Sequence, residues 1–243
     1  MAEQGEAIRY GPARLLLCYA GPPLLARAIG GRRRWLEVHC FADLAFAAAN
    51  VIVDYGPKRG VRALPDEMGI WPARQRSRPW SSWLALAGAF VTVLWLINWL
   101  AARLGRVHEG PVGKVLNWTP LDAGWRPPER LTRQRLLYTI PLAVVSEETY
   151  IRGVLWSRMA WLGRWRPVVN GTAWAFYHLN RPVKDMVGSI LPAAILASYA
   201  RQHTGNVYWT ALGHYASNAY AAWQRGRRQH GQEVVAPADA LLG

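Results

Sequence analysis

The chain is poor in cysteine, with only two in 243 residues. Cys18 and Cys40 both lie in apolar stretches. A disulfide framework or a cysteine-based zinc site needs more cysteines than this, at short and regular spacings. We therefore exclude both.

Acidic residues are also scarce, since 15 Asp and Glu stand against 29 Lys and Arg and give a formal net charge of +14. In a soluble protein this excess would indicate nucleic-acid binding. Here, however, the basic residues cluster in loops between apolar stretches, as they do in proteins that cross a membrane several times. The clusters lie at residues 32–34, 58–62, 74–78, 126–135 and 225–228. Nucleic acid is therefore not an expected partner.

Phenylalanine is rare among the aromatic residues, with 4 Phe against 14 Trp and 10 Tyr. Ordinary core packing is one explanation for so many large aromatic rings. Amphipathic rings also favour the membrane interface, and that explanation suits the tryptophans at the edges of apolar segments. Those tryptophans are Trp35, Trp71, Trp80, Trp83, Trp99 and Trp223.

Long apolar runs determine the predicted fold. Residues 83–104 form the clearest span, because about 20 helical residues cross the hydrocarbon core. Two weaker stretches, 15–29 and 40–55, are also interpreted as membrane helices. Four more follow with short linkers, which predict one antiparallel bundle; they are residues 136–156, 168–179, 186–200 and 207–223. The sequence predicts an all-α, multi-spanning membrane helix bundle of about six to eight helices, with a four-helix core that carries the motifs.

The chain divides into four predicted parts. They are N-terminal membrane segments of unknown role (1–104), a basic, Pro-containing loop expected to be irregular (105–134), the motif-bearing core (135–225) and a C-terminal tail (226–243). Residues 56–79 are predicted as another loop, with a short amphipathic piece around 64–71. No signal peptide is expected, because Glu3 and Glu6 precede a first apolar run without a small-residue cleavage site.

Three ionisable side chains occur close together in one apolar stretch, at Glu147, Glu148 and Arg152. Each helical residue turns about 100° around the axis, so Glu148 and Arg152 lie about 40° apart and can form an ion pair. Glu147 lies about 100° to 140° from both and stays free to face another helix. A buried ion-pair network that only ties helices together is one alternative. Since polar groups are costly in a membrane helix, we interpret Glu147 as a base and the other two as its support.

Histidines occur in two later apolar stretches. His178 has aromatic neighbours and, taken alone, is interpreted as a core histidine. His214 and Asn218 are four residues apart, so they share a helical face and form a donor pair suited to an oxyanion. The other histidines stand beside charges or in loops and are interpreted as solvated or interfacial: His39, His108, His203 and His230.

A metal site is an alternative use of the same side chains. Glu147, His178 and His214 could supply three ligands to zinc and leave a fourth position open. The short His-Glu-x-x-His helix motif is absent, and spacing cannot test ligands drawn from three helices. We expect no cofactor, with zinc as the open alternative.

The order of these motifs resembles the CPBP family of intramembrane proteases, also called the CAAX protease or ABI family, which includes the CAAX prenyl endopeptidase. Its pattern is Glu-Glu-x-x-x-Arg, Phe-x-x-x-His and His-x-x-x-Asn on separate membrane helices. The first and third are complete here, as Glu147-Glu148 with Arg152 and as His214 with Asn218. In the second, Trp174 stands where the family usually has Phe, an exchange expected to affect packing rather than chemistry. The resemblance covers residues 135–225.

The resemblance implies an intramembrane endopeptidase that cuts a membrane-embedded or lipidated protein. By the same resemblance, Glu147 and His178 would activate water, and His214 and Asn218 would stabilise the oxyanion, by a glutamic-type rather than a metal-dependent mechanism. The expected partners are membrane lipids and a membrane-bound protein or peptide substrate, and the expected location is the plasma membrane.

Two other classes of protein stay open. One is a non-catalytic membrane partner, or immunity-type protein, of the same fold. The other is a proton-coupled transporter that uses the carboxylates as a relay. The sequence has no pair of interrupted helices in repeated halves, which counts against the transporter.

Overall fold

The computed structural model describes residues 8–30, 35–67, 92–93, 96, 111–120, 132–178 and 180–235. Secondary structure within these residues is entirely helical, without a β-strand. The all-α prediction is therefore confirmed for this part of the chain. The strongest predicted span, 83–104, lies outside the described residues except at three positions.

Three helices form the N-terminal part: α1 (Pro12–Leu25), α2 (Trp35–Tyr55) and α3 (Pro57–Glu67). Helix α1 begins at a proline, whose fixed φ suits the first helical position, and it continues into a π-helical turn at Ala26–Gly30. Gly56 joins α2 to α3 with φ of 76°, a conformation that glycine adopts without strain. The loop predicted from residue 56 is therefore wrong over α3.

The remaining helices contain the motifs. Helix α4 spans Pro111–Asn117. Helix α5 is an unbroken run of four helical segments: Arg135–Thr139, Ile140–Glu147, Glu148–Leu155 and Trp156–Arg158. The first and third of these segments are π-helical. A 3₁₀ segment, Ala160–Trp165, leads into α6 (Arg166–Tyr177). Helices α7 (Val183–Thr204) and α8 (Tyr208–Val235) follow. The chain is helical over α4, where an irregular loop was expected. Helix α8 continues past residue 225 into the segment predicted as a C-terminal tail.

The N-terminal helices and the motif-bearing helices share one core. Helix α6 packs on α7, α8 packs on α7 and α5, and α2 packs on α1, α3 and α5. Buried side chains of both parts touch in a single cluster; among them are Tyr10, Leu15, Tyr19, Val51, Tyr150, Ile151, Leu155, Met159 and Trp174. Residues 1–104 therefore do not form an independent unit where they are described.

A buried charged network joins α1, α2 and α3 to the end of α5. Asp54 of α2 pairs with Arg14 at 2.7 Å and with Arg158 at 2.9 Å, and Arg158 also pairs with Glu67. The Tyr10 hydroxyl donates to the same Asp54 carboxylate at 2.6 Å. Burial, and then this acceptor, raise the pKa of Tyr10 well above its usual value, so the phenol stays a donor. The network neutralises its own charges and therefore has a structural role.

Two of the described helices are long and apolar enough to cross a membrane: Leu36–Tyr55, within α2, and Val183–Thr204, which is α7. Several large apolar side chains on these helices are exposed, among them Phe41, Val53 and Val187. Apolar surface that is exposed on long apolar helices is expected where lipid replaces water.

Gly171 lies at a close approach between α6 and α7. A Cβ atom added at Gly171 would lie 2.6 Å from the Cα atom of Ile195, and this backbone obstacle cannot rotate away. We expect Gly171→Ala to lower the free energy of unfolding by about 1–3 kcal/mol, measured by thermal unfolding in detergent. Gly226→Ala is the matched control, because a Cβ there meets nothing within 4 Å in helix α8. Equal melting temperatures for the two variants would contradict the close approach.

Candidate active site

Glu147 lies on α5 and faces α6. Its Oε2 atom accepts a hydrogen bond from the indole Nε1 of Trp174 at 3.1 Å. The same oxygen lies 3.7 Å from Nε2 of His178. Glu147 is only 9% exposed, so its carboxyl group has little contact with solvent. The carboxylate and the imidazole thus converge inside the helix packing.

His178 follows the last residue of α6, and its ring is held by its own helix. Its Nδ1 atom lies 3.0 Å from the carbonyl oxygen of Trp174. Because a carbonyl oxygen only accepts, this hydrogen bond assigns the proton of a neutral ring to Nδ1. Nε2, the atom that faces Glu147, is then an acceptor. Oε2 of Glu147 and Nε2 of His178 are both acceptors, and at 3.7 Å they form no direct hydrogen bond. Each can therefore accept a hydrogen bond from a third group placed between them.

Glu148 points in a different direction from Glu147. It forms an ion pair with Arg152, one turn further along α5, as the spacing of these residues predicts. Its Oε1 atom also lies 3.0 Å from Nδ1 of His214 on α8. Both members of the ion pair are buried, at 1% and 0% exposure. Glu148 is therefore committed to a cation and an imidazole, whereas Glu147 is not.

Arg152 links three helices around this ion pair. Its Nη2 atom donates to the carbonyl oxygen of Ala194 on α7 at 3.3 Å, and its guanidinium lies 4.7 Å from the ring centroid of Trp174. Arg201 in turn donates to the Arg152 carbonyl oxygen at 2.8 Å. These contacts fix α5 against α6 and α7 at the level of the two glutamates.

The predicted site residues do not all meet. The Trp174 ring lies between the two histidines, 4.5 Å from His178 and 5.3 Å from His214 by ring centroids. Glu147, His178, His214 and Arg152 thus contact one indole, and Glu148 contacts two of these four residues, His214 and Arg152. Asn218 lies one turn beyond His214 on α8 and is half-buried, and its side chain makes no hydrogen bond to another residue of the described part of the chain.

Trp174 makes a polar contact as well as packing contacts. Its replacement of Phe is expected from the sequence to affect packing rather than chemistry, and in the structure the indole N–H donates to the candidate base. Phenylalanine has the same apolar body and cannot make this bond. The identity of this residue therefore decides whether Glu147 has an indole donor.

The interpretation of His39 as solvated or interfacial is wrong. His39 is 3% exposed and lies on α2, where its Nε2 atom is 3.8 Å from the carboxylate of Asp43. Asp43 is fully buried and accepts a hydrogen bond from the Tyr177 hydroxyl. The spacing of His39 and Asp43, four residues apart in an apolar helix, is the sequence signal that indicates this pair.

A zinc site built from Glu147, His178 and His214 does not fit this geometry. In the described part of the chain, no group of three or more His, Cys, Asp or Glu side chains is arranged to hold a metal ion. Nδ1 of His214 faces Glu148. The three side chains therefore do not form a ready ligand set in this structure.

Ionisable groups buried among long apolar helices define a class of protein: a helical membrane protein with a polar site inside its helix packing. Residues 131–220 match the family model described as type II CAAX prenyl endopeptidase, Rce1-like. This segment includes all six predicted site residues. The predicted resemblance to the CAAX protease family is thereby confirmed for this segment, and at family level it implies CAAX-type protease activity. No curated protein and no solved structure matches the chain.

Replacing Trp174 by Phe tests whether its hydrogen bond matters to the site. We expect Trp174→Phe to lower kcat about 10-fold, because a hydrogen bond to a charged group contributes about 1.5–3 kcal/mol and here it orients the candidate base. The measurement is the initial rate of peptide cleavage per folded protein. Trp161→Phe is the matched control, since that indole donates only to the Tyr10 carbonyl oxygen. Equal rates for the two variants would show that the Trp174 hydrogen bond is dispensable.

Proposed function

We propose that the protein is an intramembrane endopeptidase of the glutamic type, acting on a membrane-embedded or lipidated protein. One observation carries the proposal: the buried Glu147 carboxylate lies 3.7 Å from His178 Nε2, with a neighbouring glutamate already paired to Arg152. A buried carboxylate with only a structural role is expected to be neutralised by a cation, as Glu148 is by Arg152. Glu147 has instead a neutral indole donor and an imidazole.

In the proposed reaction, a water molecule attacks the carbonyl carbon of the scissile peptide bond. Glu147 accepts the proton of that water, and the acceptor nitrogen of His178 orients it. The carbonyl π bond opens and its electron pair moves to oxygen, which gives a tetrahedral oxyanion. When this intermediate collapses, the C–N bond breaks and the leaving amine takes the proton back from Glu147. The immediate products are a carboxylic acid and an amine. Proton transfer between them gives a carboxylate and an ammonium group, so atoms and charge balance.

His214 and Asn218 are the proposed oxyanion donors. With Nδ1 committed to Glu148, His214 offers Nε2 to the substrate. An imidazolium has N–H donors at both nitrogens, so it can keep the bond to Glu148 and still donate to the oxyanion. Asn218, which lies on the same face of α8, would add an amide N–H. Its lack of a partner among the described residues is compatible with a donor that is reserved for substrate.

The location and partners follow from this activity. The proposed substrate is a membrane-bound protein or peptide with a prenylated cysteine near its end, the chemistry named in the family description. Membrane lipids are the surrounding partner, and the plasma membrane is the proposed location. No cofactor is required by the proposed chemistry.

Mass spectrometry tests the function. Membrane peptides from cells with the wild-type protein are compared with those from cells with Glu147→Ala, and the purified protein is assayed on a farnesylated peptide ending in Cys-a-a-X. We expect cleavage products that the variant does not generate. Unchanged products in the variant would contradict the proposal and favour the non-catalytic partner. A metal-dependent enzyme would copurify with about one metal ion per chain and would lose activity when a chelator removes it. We expect a chelator to have no effect.

A further inference from the structure

A buried polar pair lies on α2, outside the segment that matches the family model. His39 and Asp43 are one helical turn apart and are 3% and 0% exposed. Oδ2 of Asp43 has no hydrogen-bond partner among the described residues. Burying a carboxylate in a long apolar helix is unfavourable in free energy, so we expect Asp43 to have a specific function.

The pair reaches the candidate active site through Tyr177. The Tyr177 hydroxyl donates to Oδ1 of Asp43, and the His39 and Tyr177 rings lie 4.7 Å apart by centroid. Tyr177 directly precedes His178, and their rings are 5.8 Å apart. Helix α2 also packs on the segment of α5 that ends at Glu147. Tyr177 is therefore the connection between α2 and the end of α6 that carries His178.

A second tyrosine–aspartate bond on the same helix has a different setting. Tyr10 donates to Asp54, which two arginines neutralise. That bond lies eleven residues further along α2, or about 16 Å at the usual rise per residue. Asp43 has neither arginine, and its donor adjoins His178. The two bonds have the same donor and acceptor groups, but only one of them contacts the site.

We propose that Asp43, through its hydrogen bond to Tyr177, is a positioning residue that sets the orientation of His178 relative to Glu147. The bond fixes the last turn of α6, where a small rotation would change the 3.7 Å separation between His178 and Glu147. Helix α2 is thus part of the catalytic unit, although it lies outside the matched segment. This inference rests on the proposed protease activity.

Tyr177→Phe and Asp43→Leu each remove the bond, and Asp43→Asn keeps an acceptor oxygen. With the farnesylated peptide as substrate, we expect Tyr177→Phe and Asp43→Leu to lower kcat about 10-fold or more, because misplaced groups lose much of their catalytic advantage. KM should stay within about twofold, because these changes are expected to alter the orientation of His178 and not substrate binding. The double variant should lose no more activity than either single variant, because both changes remove the same bond. Asp43→Asn should recover most of kcat. Tyr10→Phe is the matched control and should keep the wild-type kcat per folded molecule.

A second measurement does not depend on cleavage. Imidazole nitrogen signals of His178 in ¹⁵N-histidine-labelled protein, assigned with His178→Gln, report the environment of the ring. We expect them to shift in Tyr177→Phe and Asp43→Leu and to stay in place in Tyr10→Phe.

The outcomes separate the two proposals. If the wild-type protein shows no Glu147-dependent cleavage but the His178 signals shift as expected, the protease function fails and the positioning contact stands. If cleavage depends on Glu147 while Tyr177→Phe keeps kcat within about twofold, the positioning role is overturned alone. Loss of kcat in Tyr10→Phe equal to that in Tyr177→Phe would also overturn it, because the effect would then be one of general stability.

Discussion

Glu147→Gln is expected to lower kcat on the farnesylated peptide by about 10²–10⁴-fold, the usual contribution of a general base. Glutamine keeps the size of the side chain and an oxygen that can accept from Trp174 Nε1. The amide cannot take a proton from water, so chemistry is lost while packing is kept. The melting temperature should therefore stay close to that of the wild-type protein.

Glu37→Gln is the control for this experiment. Glu37 lies on α2 and is exposed, so the same change there removes one charge without touching the site. Cleavage by Glu37→Gln at the wild-type rate, together with loss in Glu147→Gln, assigns the effect to the position. Glu147→Gln with an unchanged kcat would remove Glu147 as the base.

Arg152→Met is expected to have the largest effect on stability. It leaves the Glu148 carboxylate without its cation and removes the donor to the Ala194 carbonyl oxygen. Removing one partner of a buried ion pair costs about 3–5 kcal/mol, because the remaining charge stays buried. Thermal unfolding in detergent measures the loss. The double variant with Glu148→Gln should recover part of it, since no uncompensated charge is then left.

The same substitution at a half-exposed arginine provides the comparison. Arg14 pairs with Asp54, and its side chain is 43% exposed. Exposed pairs contribute only about 0–1 kcal/mol, so Arg14→Met should lower the melting temperature far less. Equal losses at the two positions would mean that the Glu148–Arg152 pair is not needed to hold α5, α6 and α7 together.

Local spacing predicts the part of the site that lies within one helix. Glu148 and Arg152 are four residues apart, and helical geometry alone brings them together. The separation of Glu147 from that pair follows from the same rotation per residue. These features need no knowledge of the fold, because every partner is less than two turns away.

Contacts between helices could not be predicted in this way. The bond from Trp174 to Glu147 joins positions 27 apart, and that from Tyr177 to Asp43 joins positions 134 apart. Which donor meets which acceptor depends on how α2, α5 and α6 are rotated about their axes, and packing of the whole core decides these rotations. The indole and phenol groups therefore looked like ordinary aromatic residues in the sequence.

The predicted loops at 56–79 and 103–134 were wrong over α3 and α4, the helices that the structure describes within them, for a related reason. Proline content suggested irregular chain, but Pro57 and Pro111 each stand at the first position of a helix, where a missing N–H has no cost. Basic side chains in α3 also suggested a loop. The helix forms nonetheless, and Tyr55 and Arg158 both bind Glu67 near its end.

The core shared by the first and last helices has a consequence for how the protein is made. Asn170 of α6 donates a hydrogen bond to Tyr19 of α1, 151 positions earlier in the chain. At a synthesis rate of about 5–20 residues per second, Asn170 is made roughly 8–30 s after Tyr19. Helices α2, α3 and α5 precede α6 in the chain, so they can pack on one another before it is made. The contacts of Asp43 and Tyr19 with α6 form last, and a chain interrupted before α6 would leave both side chains without these partners.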